Sequence, residues 1–137
     1  MAIKWSSRAN AFVYRLSGGR LGAKFLGGED LLLLTTKGRA SGLPRTAPLI
    51  YLRDGDKLVV VASKGGWPEH PLWYQNLVAE PSVQVQVGGL SEHRTARTAE
   101  GDERARLWER LVRLYPPYDD YQRVTERRIP VVVLDPT

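Results

Sequence analysis

Residues Leu31 to Ala62, LLLLTTKGRASGLPRTAPLIYLRDGDKLVVVA, decide the fold. Apolar and β-branched residues dominate three segments of this stretch, which predicts strands at Asp30–Thr36, Pro44–Leu52 and Lys57–Ala62. The Asp54–Gly55 pair is a hairpin turn signal between the second and third segments. We therefore expect antiparallel strands in chain order, with Pro44–Leu52 paired to Lys57–Ala62.

The remainder of the chain continues with short strands and a few helices. Alternating apolar residues predict strands around Val83–Val87 and over Leu90–Ala99, and an apolar run predicts a last strand at Ile129–Leu134. A short helix fits His70–Leu77, and an apolar stripe predicts a longer helix over Asp102–Tyr115. About six strands that do not alternate with helices favour a mainly β protein with peripheral helices (α+β), a small antiparallel barrel.

Composition limits the class of protein. The 137 residues contain no cysteine and 42% hydrophobic residues, as expected for one domain with a core and no disulfides. No apolar run approaches the roughly 20 residues of a membrane span, so we expect a cytoplasmic protein. The formal net charge is +5, which favours an anionic partner. No nucleic-acid-binding motif accompanies that charge, so nucleic acid is not the expected partner.

Most of the net charge lies in residues 1–29, where five lysines and arginines are offset by Glu29 alone. The spacing of Phe12, Val13 and Leu16 predicts a short amphipathic helix in this segment, with these side chains on one face. That helix either packs on the protein's own core or a partner subunit, or lies on an anionic membrane at the inner face of the plasma membrane. We divide the chain into a variable basic N-terminal segment, 1–29, and a single barrel domain, 30–137.

Two loops have the composition of an anion cradle. Lys37–Arg45 holds two glycines, a serine and three cationic side chains, and Ser63–Gly66 adds a serine, a lysine and paired glycines after a strand. Arginine binds phosphate or carboxylate through two parallel hydrogen bonds. Pairing of the flanking strands would place both loops on one rim. An ordinary pair of polar loops is the alternative.

Two aromatic segments could line a pocket. Trp73 and Tyr74 could flank a planar ring whose edge Gln75 and Asn76 would hydrogen-bond, unless these residues belong to the core. Tyr115, Tyr118 and Tyr121 recur every third residue and share one side of a tight turn or first helical turn. They either line an apolar pocket or attach the helix end to the barrel. No metal is expected, since His70 and His93 lack ligand partners at suitable spacing.

The order of these motifs resembles a known family. LLTTKGRASGLPRTAPLIY, VVVASKGGWPEHPLWYQNLVAEPSVQVQV, LWERLVRLYPPYDDYQ and RRIPVVVL together are similar to the deazaflavin-dependent nitroreductases, small split-barrel proteins that use coenzyme F(420). The resemblance runs from about Leu31 to Leu134. It implies a split β-barrel related to the FMN-binding split barrels. It also implies coenzyme F(420), an 8-hydroxy-5-deazaflavin with a phosphate and an oligoglutamate tail, as the cofactor.

The resemblance assigns site residues to matching positions of this chain. Lys64, Arg39 and Arg45 would hold the phosphate and the oligoglutamate tail of the cofactor. Ser63 and Tyr118 are candidates to orient the substrate or donate a proton. The implied substrate pocket is Ile50, Tyr115, Tyr118 and Tyr121. The implied cofactor-binding residues are Arg39, Ala40, Ser41, Arg45, Thr46, Ala47, Pro48, Leu49, Ile50, Val61, Ala62, Ser63, Lys64, Leu72, Trp73, Tyr74, Gln75 and Asn76.

The implied reaction is hydride transfer from the reduced deazaflavin to a small electron-poor acceptor, such as a quinone, an activated enone or a nitroaromatic. Ile50 stands where some relatives carry an aromatic residue facing the substrate, which weighs against nitroaromatic reduction. The alternatives are an FMN-dependent oxidoreductase of the same barrel class and a non-catalytic deazaflavin carrier. A homodimer is compatible with the resemblance.

Overall fold

The computed structural model describes residues 31–137, so the predicted N-terminal helix lies outside the described residues. The strands are β1 (Leu31–Lys37), β2 (Pro44–Ile50), β3 (Leu52–Asp54), β4 (Lys57–Val61), β5 (Ser82–Val87), β6 (Leu90–Thr98) and β7 (Val131–Pro136). The helices are α1 (Leu72–Ala79), α2 (Gly101–Leu114) and α3 (Pro117–Arg123). A 3-10 turn, Lys64–Gly66, follows β4.

The strands form one antiparallel sheet in the order β2-β1-β5-β6-β7-β4-β3. β2 and β3 lie at opposite ends of this order, yet Tyr51 alone separates them along the chain. The sheet therefore curls into a half-barrel whose ends meet at Tyr51. The predicted mainly β, antiparallel split barrel is confirmed.

The predicted pairing of Pro44–Leu52 with Lys57–Ala62 is wrong for most of its length. β2 pairs instead with β1, from Leu31 opposite Ile50 to Lys37 opposite Pro44. Of the predicted pairing, only the short ladder between β3 and β4 is present, and the Asp54–Gly55 turn connects these two strands. The predicted second strand is therefore two strands, because the chain bends at Tyr51 and changes its partner there.

Two layers of apolar side chains hold the sheet. The first fills the barrel and includes Leu32, Leu34, Val60 and Leu134, with Leu77 of α1 packed on it. The second lies between the sheet and the helices α2 and α3. Successive residues of β4 and β7 enter opposite layers, so both strands are buried on both faces. This explains why their sequences are continuous apolar runs.

The two helices predicted within residues 31–137 are confirmed, with shifted ends. α1 begins at Leu72, immediately after Pro71, because proline is tolerated only at the start of a helix. α2 ends at Leu114, before the Tyr115–Pro116 step. Pro117 occupies the first turn of α3, which places Tyr118 and Tyr121 one turn apart on the same side.

Candidate functional site

β2 is an edge strand of the sheet, and it forms the common wall of two cavities. Its first half, Arg45–Ala47, lines a cleft of about 580 Å³ that we call the basic cleft. Its second half, Pro48–Ile50, lines a cavity of about 250 Å³ that we call the aromatic cavity. The two cavities are therefore adjacent along one strand.

The basic cleft collects cationic and apolar side chains from four parts of the chain. Its walls are the β1–β2 loop, the first half of β2, the turn after β4 and the start of α1. The lining residues are Gly38, Arg39, Ala40, Ser41, Arg45, Thr46, Ala47, Lys64, Pro71, Leu72, Trp73 and Asn76. Three cationic residues beside an indole suit a ligand that combines anionic groups with a flat ring.

Two amides of α1 brace the β1–β2 loop. Asn76 is buried; its Oδ1 accepts from the Arg39 N–H at 3.0 Å, and its Nδ2 donates to Thr36 Oγ1 at 3.1 Å. Gln75 Oε1 accepts from Arg39 Nη2 at 2.7 Å. These amides thus hold Arg39 in place, a task that differs from the ring-edge contacts expected from the sequence.

Arg45 is held less firmly than Arg39. Its guanidinium is exposed and contacts only its own loop, with Nη2 at 3.4 Å from Ser41 Oγ and Nη1 at 3.3 Å from the Pro44 carbonyl. Both distances are beyond the usual range for N–H···O hydrogen bonds. Arg45 can therefore turn toward an anion in the cleft at little cost in existing contacts.

The turn after β4 has an unusual backbone. Ser63 has right-handed helical angles, and Lys64, Gly65 and Gly66 then have φ values of 44, 60 and 82°. Lys64 is the non-glycine residue with positive φ among residues 31–137, and such strain clusters at functional sites. A right-handed residue followed by a left-handed one turns successive N–H groups toward one side, which favours an anion.

Arg127 clamps this turn from the loop between α3 and β7. Its guanidinium donates to the carbonyls of Ala62 (3.0 Å), Ser63 (2.6 Å) and Trp67 (2.8 Å). Its Nη1 also lies 3.1 Å from His70 Nδ1. Burial, and secondly the charge of Arg127, lowers the pKa of His70, so a neutral ring accepting at Nδ1 is favoured. Burial also lowers the pKa of Arg127, which remains charged at neutral pH.

The aromatic cavity is lined mainly by apolar side chains. Tyr115, Tyr118 and Tyr121 form one cluster, with ring centroids 4.9 Å apart for the first two and 6.5 Å for the other two pairs. The remaining lining residues are Leu31, Pro48, Leu49, Ile50, Val61, Ser63 and Gly65. Tyr118 is buried in the second apolar layer while it lines the cavity, so it combines the two roles expected from the sequence as alternatives.

The structure brings most of the predicted site residues to these two cavities. Three do not line them. Ala62 is fully buried, Tyr74 donates to or accepts from Thr98 Oγ1 at 2.8 Å beside the barrel core, and Gln75 binds Arg39. Arg127 was not among the predicted site residues, because its three carbonyl acceptors lie 60–65 residues away along the chain and no local signal marks it.

A close backbone approach at Gly66 likewise has no local signal in the sequence. A Cβ on Gly66 would lie 2.5 Å from Val124 Cγ2 and 2.7 Å from the Tyr121 carbonyl oxygen. The turn after β4 therefore packs directly on the end of α3. This contact fixes the position of the aromatic cavity relative to the basic cleft.

The fold and these cavities place the chain among the split β-barrel proteins, a class related to the FMN-binding split barrels. Residues 5–136 match the model of the F(420)H(2)-dependent quinone reductase family. Because the match spans nearly the whole chain, the protein belongs to that family.

Individual relatives agree with this assignment. A protein of Mycobacterium tuberculosis named F(420)H(2)-dependent quinone reductase is 42% identical over 130 residues, which cover 93% of this chain and 87% of that protein. A solved structure of an F(420)H(2)-dependent reductase, FDR-A, is 46% identical with a TM-score of 0.71, and the match covers 77% of this chain and 93% of the other. Another solved structure, a domain-swapped dimer, is 39% identical with a TM-score of 0.71, and the match covers 93% of this chain and 99% of the other.

Proposed function

We propose that this protein is an F(420)H(2)-dependent reductase that transfers a hydride from the reduced cofactor to a quinone. The observation that carries the proposal is the position of β2, which forms one wall of both a basic cleft and an aromatic cavity. A cofactor with an anionic chain and a flat ring would extend along β2. The acceptor would then lie beside the ring, against the tyrosines.

The donor set of the basic cleft fits the cofactor. Arg39, Arg45 and Lys64 carry three positive charges, and the cofactor carries a phosphate and a glutamate tail. Lys64 lies 3.5 Å from Glu69 and 5.5 Å from the Trp67 ring, both of which are exposed, so it can be recruited by a stronger anion. We assign the phosphate and tail to these three side chains and the flat ring to the Trp73 region and the middle of β2.

When bound, the reduced deazaflavin supplies a hydride from its C5 atom, and the redox chemistry belongs to it. The chain's own residues bind and orient the cofactor and the acceptor, and they exclude water from the cavity. Ile50 and Val61 present an apolar surface on the cavity walls, and the tyrosines close it with aromatic rings. Such a cavity favours a planar, weakly polar acceptor.

A quinone that accepts a hydride also requires one proton to become the hydroquinone. We assign proton donation to the hydroxyl of Ser63 or of Tyr118, since both residues line the aromatic cavity. Water at the cavity mouth would then restore the proton.

We also propose three properties beyond the reaction itself. The protein forms a homodimer, a state supported by the domain-swapped dimer of a 39% identical relative. It acts in the cytoplasm. Its basic N-terminal segment makes peripheral contact with an anionic membrane, where lipophilic quinones dissolve. Within residues 31–137, no helix has the length and apolar character needed to cross a membrane.

The test is a titration followed by an acceptor screen. Oxidised F(420) is added to the purified protein and binding is followed by absorbance and fluorescence, with FMN titrated in parallel. Oxidation of F(420)H(2) is then measured with quinones, activated enones and nitroaromatics. We expect binding of F(420) in preference to FMN, and faster turnover of quinones than of nitroaromatics. Preferential FMN binding, or F(420) binding without turnover of any acceptor, would contradict the proposal.

A further inference from the structure

Arg127 contacts three carbonyl oxygens that lie on both sides of the strained turn after β4. Those of Ala62 and Ser63 precede the left-handed residues, and that of Trp67 follows them. One planar guanidinium thus holds the two ends of the turn at a fixed separation. A lysine ammonium, with all its donors on one nitrogen, cannot reproduce this fork.

The segment that carries Arg127 is itself tied to α3. Gln122 Nε2 donates to the Arg127 carbonyl at 2.9 Å, and Gln122 Oε1 accepts from the Ile129 N–H at 2.9 Å. Gln122 is the neighbour of Tyr121, which lines the aromatic cavity. A continuous series of hydrogen bonds therefore runs from the tyrosine helix through Arg127 to the turn that carries Ser63 and Lys64.

We infer that Arg127 is a positioning residue, which sets the Ser63–Lys64 turn of the cofactor site against the tyrosine helix of the acceptor site. The inference rests on the proposed function. Arg127 lines neither cavity, so it acts through the turn and not by contact with cofactor or acceptor. Its loss leaves Lys64 present but no longer held in its left-handed conformation.

The experiment compares Arg127→Met and Arg127→Lys with Arg128→Ala. Arg128 is the adjacent arginine and is exposed, so its substitution removes the same charge without touching the turn. For each folded protein, the Kd of F(420) and the kcat and KM of a quinone are measured. Amide hydrogen exchange of Gly66 and Trp67, which donate to Ser63 and Lys64 carbonyls, is measured without cofactor.

We expect both Arg127 variants to weaken F(420) binding by about tenfold or more, the order expected when a binding loop must be reordered on binding. Exchange at Gly66 and Trp67 should accelerate, while amides of the β1–β5 pair stay protected. Arg128→Ala should match the wild type in both measurements. Wild-type affinity in Arg127→Lys would show that charge, and not the fork, matters, and would overturn the inference.

Two further outcomes separate the inference from the proposed function. If the wild type does not bind F(420), the proposed function fails, and the exchange measurement alone still tests the clamp. If the wild type binds and both Arg127 variants bind equally well with unchanged exchange, the inference fails and the proposed function stands. Should Arg127→Met not fold, Arg127→Lys alone supplies the comparison, since it keeps the charge and removes the fork.

Discussion

Substitution of Gly66 by alanine tests whether the turn after β4 and the helix α3 form one unit. Gly66 has φ +82°, and a Cβ there would lie 2.7 Å from the Tyr121 carbonyl oxygen and 3.2 Å from its Cα. These are backbone atoms, so they cannot rotate away as a side chain could. Gly65→Ala is the matched control, because Gly65 has φ +60° but its Cβ would meet nothing closer than Trp67 Cδ1 at 3.9 Å.

Both variants lose stability because an alanine must adopt a left-handed backbone, and Gly66→Ala alone loses more because its Cβ is crowded against α3. A left-handed backbone costs an alanine about 1–2 kcal/mol in either position. Overpacking against α3 adds about 1–3 kcal/mol in Gly66→Ala alone. For a chain of this size, that difference lowers the Tm by roughly 4 °C per kcal/mol relative to Gly65→Ala.

The assay is urea unfolding and thermal melting of both variants beside the wild type, followed by the quinone KM. We expect Gly66→Ala to be the less stable variant and to raise the KM, because α3 must move away from the turn. Equal stability of the two variants would refute the close approach. It would also remove the argument that Gly66 fixes the aromatic cavity against the basic cleft.

Other substitutions test the separate parts of the site. Arg45→Ala and Lys64→Ala should each weaken F(420) binding by about 1–3 kcal/mol in a calorimetric titration, the usual range for hydrogen bonds to charged groups, and unchanged affinity in both would remove the anion cradle. Tyr118→Phe preserves the buried ring, so we expect an unchanged Kd for F(420) but a kcat reduced by about tenfold or more if the hydroxyl donates the proton. A rate equal to the wild type would exclude that role. The hydrogen bond from Arg106, and secondly that from Arg110, lowers the pKa of Asp54 despite its partial burial. The ionised carboxylate therefore stabilises the folded state at pH values above the pKa that Asp54 has in the unfolded chain. Asp54→Asn should therefore be less stable than the wild type at pH 7 in urea, and the gap should close as the pH falls through the folded pKa; a gap independent of pH would contradict this assignment.

Features that depend on neighbouring residues could be predicted from the sequence. The spacing of Tyr115, Tyr118 and Tyr121 is sufficient to place the three rings together, because a turn and a short helix bring every third or fourth residue to one side. The composition of the Lys37–Arg45 loop likewise identifies it as a cation-rich turn. Neither observation requires knowledge of the strand order.

Features that depend on distant contacts could not be predicted in this way. Nothing local to Arg127 distinguishes it from Arg128, although one clamps a turn 60–65 residues away and the other is exposed. The sequence allows Gln75 and Asn76 to bind the edge of a planar ring, because side-chain amides both donate and accept hydrogen bonds. The structure uses them on Arg39, since the β1–β2 loop contains backbone and side-chain donors that need partners.

The pairing of the second predicted strand shows how a correct conclusion can follow from a wrong reason. The sequence predicts that Pro44–Leu52 pairs with Lys57–Ala62, and this pairing is the reason for placing Arg45 and Lys64 on one rim. The strand in fact pairs with β1 up to Ile50 and bends at Tyr51.

The bend leaves β2 and the end of β4 facing each other without a ladder between them. A continuous hairpin would have closed this gap with backbone hydrogen bonds. Because the barrel is split at this point, Arg45 and Lys64 border a cleft and Ile50 and Val61 border a cavity. The same bend that defeats the predicted pairing therefore creates the space in which a cofactor and an acceptor can lie side by side.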